Sequence, residues 1–176
     1  MTIAIRSIVG YAIGIPPAVL PKGVTGQVAL MNLVIAAAKS PRTSSDFTLG
    51  APTVLTGNAN YNSQVLVTAT GTSNLQGSIT LPYNRVDIGR IIDDKSHFDF
   101  SSATDLTSLL PLLNTASGMT LTSDDINPIT IASTDESITL TAATTSRFFI
   151  PGLTIVLGMA LKPITAVITG TTLDWS

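Results

Sequence analysis

The order of patterns along residues 30–81 returns along residues 109–157. Each stretch runs from an apolar helical segment, through a short Thr/Ser/Asp loop, to two alternating strands joined by a glycine-bearing turn. The loop is Thr-Ser-Ser-Asp-Phe at 43–47 and Thr-Ser-Asp-Asp-Ile at 122–126. At an offset of 79, Leu30, Leu33, Asp46 and Phe47 fall on Leu109, Leu112, Asp125 and Ile126. Self-similarity at a fixed period marks supersecondary units that bury their apolar faces against one another. What recurs is apolar residues and one Asp, with no recurring nucleophile or base. The repetition therefore points to a building unit rather than to a duplicated catalytic one.

The local signals divide the chain into an extended arm (1–28), a first module (29–92), a linker (93–105), a second module (106–160) and a strand with tail (161–176). In the arm, Ile3 and Ile5 alternate with small residues as in a short strand, and Pro16, Pro17 and Pro21 prevent a helix. That strand either joins the local sheet or pairs with a neighbouring copy. Leu30, Leu33, Val34 and Ala37 predict a helix over Gln27–Lys39, stopped by Ser40-Pro41. Strands are expected at Phe47–Leu49, around Val65–Ala69 and around Ile79–Leu81, where Pro82 ends the last one or lies at an edge. Val86–Ile92 has strand character, whereas Asp93–Asp99 is the most charged stretch. The second helix is expected over Leu106–Ser117, capped by Thr104 or Asp105, or starting near Ser108 because of Pro111; Gly118 ends it. Strands follow at Ile138–Ala142, Leu153–Leu157 and Ile164–Thr169, and the tail carries Trp175.

The expected fold class is α+β and β-dominated: two tandem repeats, each a helix on an antiparallel sheet. The repeats are expected to share one core, since ~50 residues alone bury too little apolar surface for stability.

Only 11 % of residues are charged, against 44 % hydrophobic, so much of the surface must be Ser, Thr, Asn, Gly and apolar atoms. Such a surface has few charges to keep copies apart and favours packing on other protein, including a homo-oligomer. The net charge is −2 and the basic residues are scattered, which argues against nucleic acid as a partner. Ile8–Leu20 is broken by Pro16-Pro17, which argues against a signal peptide, and Phe148–Ala160 ends at Lys162-Pro163, short of a membrane span. With no Cys, neither a disulfide nor a Cys-based metal site is available.

Two phrases, Gly77-Ser-Ile-Thr-Leu-Pro-Tyr-Asn-Arg-Val86 and Leu113-Asn-Thr-Ala-Ser-Gly118 with Leu121-Thr-Ser-Asp-Asp-Ile126, carry a family resemblance. They resemble a repeated domain of virion structural proteins in tailed bacteriophages, especially large ones. That domain has a helix, a Leu-Thr-x-x-Asp-Ile loop, and strands ending near Tyr-Asn-Arg. The resemblance covers roughly 27–160, and the second copy departs from it, with Ile155-Val-Leu-Gly158 in place of Tyr-Asn-Arg. It implies a non-enzymatic particle component on the capsid surface, neck or tail, made in the host cytoplasm and located in the virion. Its partners would be other virion proteins and copies of itself, and the resemblance carries over no catalytic residue.

The remaining candidates are weaker. The one histidine, His97, lies among Asp93, Asp94 and Asp99, a spacing that matches no metal-ligand pattern and is expected to be a solvated loop. Asp124 and Asp125 with Asn127 could supply oxygen ligands to calcium, but only Asp125 recurs, as Asp46, so both are expected to bond local backbone amides in a turn or cap. No cofactor or metal is expected. Tyr83 and Arg85 are candidate interface residues as an exposed patch, or else part of a strand-end network with Arg85 on Asp87. Ile3, Ile5 and Trp175 complete the interface candidates. A different class of reading is a host-recognition or carbohydrate-binding module of a phage fibre, since Thr/Asn-rich loops suit sugar hydroxyls. A small hydrolase would require a pocket around His97.

Overall fold

The computed structural model describes residues 3–5, 23–39, 41–71 and 74–159. Most of the expected arm, the expected strand over 164–169 and Trp175 lie outside the described residues. Within them the protein is α+β and β-dominated, with two helices and mostly antiparallel strands.

In the first half, helix α1 spans Gly26–Ala37, one residue earlier at its start than its apolar spacing indicates. Thr25 caps it, its Oγ1 accepting the Val28 amide at 3.3 Å. Strand β4 (Ser63–Ala69) is the centre of a four-stranded sheet. Strands β2 (Phe47–Leu49) and β3 (Thr53–Val54) pair antiparallel with opposite ends of β4, and β6 (Ser78–Tyr83) pairs along it, Val65 opposite Leu81 and Val67 opposite Ile79. Alternation sends Val65 and Val67 into the core and leaves Leu66 outside, so β4 is covered on one face rather than on both. Strand β1 (Ile3–Ala4) pairs in parallel with β5 (Leu75–Gln76) in the turn region between β4 and β6.

In the second half, helix α2 spans Leu106–Ser117. Asp105 caps it by accepting the Ser108 amide at 2.8 Å, while the Ser108 hydroxyl accepts the Asp105 amide at 3.1 Å. The Ser108 amide and hydroxyl hold the Asp105 carboxyl below its usual range. This reciprocal cap starts the helix ahead of Pro111, which is accommodated inside it. Gly118 ends it with φ 68°, a left-handed residue that favours glycine. Strands β7 (Ser137–Thr141) and β8 (Thr154–Gly158) pair antiparallel, Ile138 opposite Leu157 and Leu140 opposite Ile155.

The core is two clusters, not one. Leu30, Val34, Phe47, Val65, Val67 and Leu81 are central to the first; Leu109, Leu113, Ile126, Leu140, Phe149 and Leu157 are central to the second. Helix α1 contributes to both, with Ala29 in the second cluster and Leu30, Met31 and Val34 in the first.

Two segments depart from their expected roles. Val86–Ile92 is not a strand: Val86 makes a single parallel bridge with Phe149, and Asp87 then caps a 3-10 turn over Ile88–Arg90. Residues 93–97 of the expected linker are exposed, but Phe98 and Phe100 are buried in the second cluster beside Ile88, Ile91 and Ile92. Their apolar side chains have no simple period, so the charges of 93–99 dominate the sequence pattern while the apolar residues determine the packing.

Ile3 and Ile5 are also engaged within the chain. The Ile3 backbone pairs with Leu75, and Ile5 is 1 % exposed in the first cluster. Ile5 is therefore a core residue rather than a contact offered to a neighbouring copy. Ile5→Ala is expected to lower unfolding free energy by about 2–5 kcal/mol, the usual cost of truncating a buried Ile. Urea denaturation measures it, and an unchanged midpoint would place Ile5 outside the core.

Candidate functional site

The buried polar residues gather where the two halves meet, and Arg85 is at the centre. It follows β6 and is 3 % exposed. Its Nε donates to Ser63 Oγ at 2.7 Å and its Nη1 to the Ser146 carbonyl at 2.9 Å, joining the first half to the second. Its backbone is clamped as well: Asn62 Oδ1 accepts the Arg85 amide at 2.8 Å and Asn62 Nδ2 donates to the Arg85 carbonyl at 2.9 Å. Burial lowers the guanidinium pKa from its ordinary value, and Tyr83 opposes that shift. Asp87 is not the partner; its carboxylate accepts the Gly89 amide at 2.7 Å.

Tyr83 is fully buried and its hydroxyl donates to the Arg147 carbonyl at 3.1 Å. Burial pushes this hydroxyl up to about 12, against the downward pull of Arg85 and Arg147. Arg147 reaches back with Nη1 to the Gly50 carbonyl at 2.5 Å. Tyr83 and Arg85 are thus interface residues of an internal junction, not of an exposed patch. Sequence alone offered no signal for this, because their partners lie 22 to 64 residues away along the chain.

Asp125 and Ser146 complete the second half's side. Asp125 is 2 % exposed; its Oδ2 accepts the Thr122 amide at 3.0 Å and its Oδ1 accepts the Ser146 hydroxyl at 2.9 Å. Ser146 Oγ in turn accepts the Phe149 amide at 3.0 Å. Asp46 plays the same local role, its Oδ2 accepting the Thr43 amide at 2.9 Å. Both aspartates therefore fix backbone.

Helix α1 starts against this turn. A Cβ on Gly26 would lie 3.3 Å from Phe148 Cβ and 3.4 Å from Asp125 Oδ1, so glycine permits the close approach. A cleft of about 200 Å³ remains beside it, bordered by Thr25, Gln27, Thr122, Asp124 and Arg147. Of its hydroxyls, Thr25 Oγ1 accepts the Val28 amide and Thr122 Oγ1 donates to Asp125 Oδ2 at 3.0 Å.

The His97 loop lies apart from the junction. His97 Nδ1 is 3.1 Å from Asp94 Oδ2, and both side chains are more than half exposed. Hydrogen bonds from Ser96, then His97, hold the Asp94 carboxyl below its usual range. Asp99 instead accepts the Ser101 amide at 3.0 Å. Among the described residues, no group of three or more His, Cys, Asp or Glu is arranged to hold a metal ion.

Tyr83 gives the junction a measurable pH signature. Its folded value near 12 exceeds the ordinary 10.0, so the unfolded chain releases this proton first. The contribution is fully present below about pH 10 and is lost as pH rises through the folded value. Tyr83→Phe is expected to cost about 1 kcal/mol at neutral pH, from the lost Arg147 contact, and to remove part of the alkaline decline. Urea titrations at pH 7 and pH 11 test this; an alkaline decline of wild-type size in the variant would exclude Tyr83 as its source.

No curated protein and no solved structure matches the chain. A family of unknown function, DUF7941, matches residues 25–175 and so takes in both halves and the junction between them. The chain belongs to the DUF7941 family.

Proposed function

We propose that the protein is a non-enzymatic structural component of a tailed-phage virion, on the capsid surface, neck or tail. It is a duplicated module that acts by packing against copies of itself and other virion proteins. The observation that carries this reading is the use of the buried polar groups. Arg85, Tyr83 and the Ser146 carbonyl are spent on joining two bodies and Asp125 on fixing its own turn, and catalysis would need at least one of these groups turned to a substrate. The low charge of the surface and the phage-like phrases at 77–86 and 113–126 support the virion setting.

The duplicated module is supported by hydrogen bonds as well as by spacing. In each half the Thr of the loop gives its amide to the Asp three residues on. The Asp46 carbonyl accepts the Thr70 amide at 3.1 Å, and the Asp125 carbonyl accepts the Ala143 amide at 3.0 Å. Hydroxyls follow: Thr70 Oγ1 donates to the Ser45 carbonyl at 2.6 Å, and Thr145 Oγ1 to the Asp124 carbonyl at 2.9 Å. Phe47 then pairs with Ala69, and Ile126 with Ala142. The central ladders also correspond, Val65–Leu81 and Val67–Ile79 matching Ile138–Leu157 and Leu140–Ile155. Upstream of the helices, Ile3 bridges Leu75 in parallel with Ile5 buried, as Val86 bridges Phe149 in parallel with Ile88 buried. On this reading each module begins at its entering strand, and the boundary lies at 84–85.

Two measurements test the reading. Mass spectrometry of purified particles, with immunogold labelling, is expected to find the protein in many copies on the virion; its presence in the lysate but not in particles would overturn the role. Asp46→Asn is expected to speed amide exchange at Thr43 and Thr70, and Asp125→Asn at Thr122 and Ala143. A response in one turn only would break the proposed equivalence.

A further inference from the structure

The sheets of the two halves differ at one edge. Strand β4 is paired on both sides. On one lies β6; on the other lie β2, then Gly50, whose amide donates to the Leu66 carbonyl at 2.8 Å, then β3, whose Thr53 pairs with Gln64. Strand β7 has β8 on one side and little on the other. There the Asn127 amide donates to the Thr141 carbonyl at 2.9 Å, and the chain then turns away at Pro128, which has no amide to give. Thr130 bridges Asp105 instead, and the Ile131 amide donates to the Thr104 carbonyl at 2.8 Å. A tight turn, with the Asp135 amide on the Ala132 carbonyl at 3.0 Å, then leads straight into β7. Among the described residues nothing takes the place that β3 takes beside β4.

The ladder shows which backbone groups this leaves over. Toward β8, the Met159 amide donates to the Glu136 carbonyl at 2.7 Å and the Ala142 amide to the Leu153 carbonyl at 2.9 Å. Antiparallel pairing alternates, so the even-numbered residues of β7 bond to β8, while the amides and carbonyls of Ser137 and Thr139 point the other way. Both residues are exposed, and among the described residues nothing bonds to those groups. The comparison with β4 rests on the duplicated-module reading above; the unpaired groups of β7 stand without it.

An unpaired edge is a template for another strand, and proteins guard such edges with charge, proline or a cover. The outer edge of β6 carries Pro82. At β8, Gly158 is covered, its amide on the Lys95 carbonyl at 2.7 Å and its carbonyl on the Phe98 amide at 3.0 Å. The β7 edge has neither device, since Ser137 to Ser146 contains no charged residue and no proline.

This edge is also complementary to itself. Turning a second copy about a two-fold axis normal to the sheet beside Ile138 sets each Ser137 opposite the other's Thr139. Every freed amide then meets a carbonyl, and the acidic Asp135 and Glu136 of the two copies lie at opposite ends of the joint. Setting Ser137 opposite Ser137 instead would crowd the two Glu136 side chains and place Thr139 against Asp135, whose amide is already used in its turn.

We infer that two copies of this chain pair edge to edge through β7, Ser137 of each opposite Thr139 of the other, joining two β7–β8 ladders into one sheet. The occupant of the edge is a second copy, and the contact is a closed two-fold one. It gives the self-packing proposed above a location.

Sedimentation velocity of the full chain over a concentration series is expected to show a dimer. Thr139→Pro removes the amide that faces the partner and no bond to β8, and is expected to weaken the dimer about tenfold or more. Thr139→Val keeps that amide and keeps the dimer. The chain has no cysteine of its own, so Ser137→Cys and Thr139→Cys report the register. Opposed residues of a hydrogen-bonded pair stand about 5.5 Å apart at Cα, within disulfide reach, whereas diagonal ones do not align. The two Cys variants mixed under mild oxidation are therefore expected to cross-link well ahead of either alone. Circular dichroism verifies that each variant is folded. A wild type that stays monomeric, a folded Thr139→Pro chain that dimerises normally, or single Cys variants that cross-link as well as the mixture would each overturn the inference. The first outcome would leave the edge to another occupant, such as the chain's own residues 160–176; the second would place the contact on another strand, and the third in another register. A monomeric chain still found in particles sinks this contact and leaves the virion role standing.

Discussion

Everything at the centre of this protein depends on a buried guanidinium held by neutral oxygens. A cation taken out of water costs several kcal/mol unless its donors are satisfied. Arg85 meets that condition with the Ser63 hydroxyl on one side of the junction and the Ser146 carbonyl on the other. Neither half alone offers both acceptors. The planar fork of arginine suits this bridging role, which a lysine ammonium would fill less well. Asn62 fixes the Arg85 backbone, so the charge is carried on an immobile stem. The two apolar clusters are thereby kept in one relation, and α1, with residues in both, reinforces it.

The polar network divides its work between fixing loops and joining bodies. Asp125 holds its own turn through Thr122 and passes a hydrogen bond to Ser146, whose carbonyl takes Arg85. Ser146 Oγ accepts the amides of Phe148 and Phe149, which positions those rings in the second core. Local turn geometry and long-range docking are therefore coupled through a single serine. A buried network in which each member is satisfied rigidifies its surroundings.

Much of the local structure was legible in the sequence. Helical spacing located α1 and α2, Gly118 located the end of α2, and the Thr–Asp loops read as backbone-fixing turns, because such signals act within a few residues. The long-range arrangement was not legible. The parallel pairings of Ile3 with Leu75 and Val86 with Phe149 join segments whose sequence has no shared period. For Tyr83 and Arg85 a strand-end network was one of two readings, but its partners were misplaced, because Arg is rarely buried without a carboxylate and the oxygens that satisfy it lie in distant loops. The stretch 93–105 read as a linker because its charges are contiguous, while the apolar residues that anchor it, Phe98, Phe100 and Ala103, are few and have no simple period.

The asymmetry of the junction bears most directly on the proposed role. Had the halves met through the same surface on each, a two-fold contact would have closed on itself and used up that surface. They meet through different surfaces: Ser63 and Tyr83 at the first half's rim are buried, whereas Glu136 and Ser137 are exposed. A sparsely charged surface favours packing on other protein over solvation. The β7 edge that begins at Ser137 is then the natural place for such packing, because the matching edge of β4 is already filled by β3.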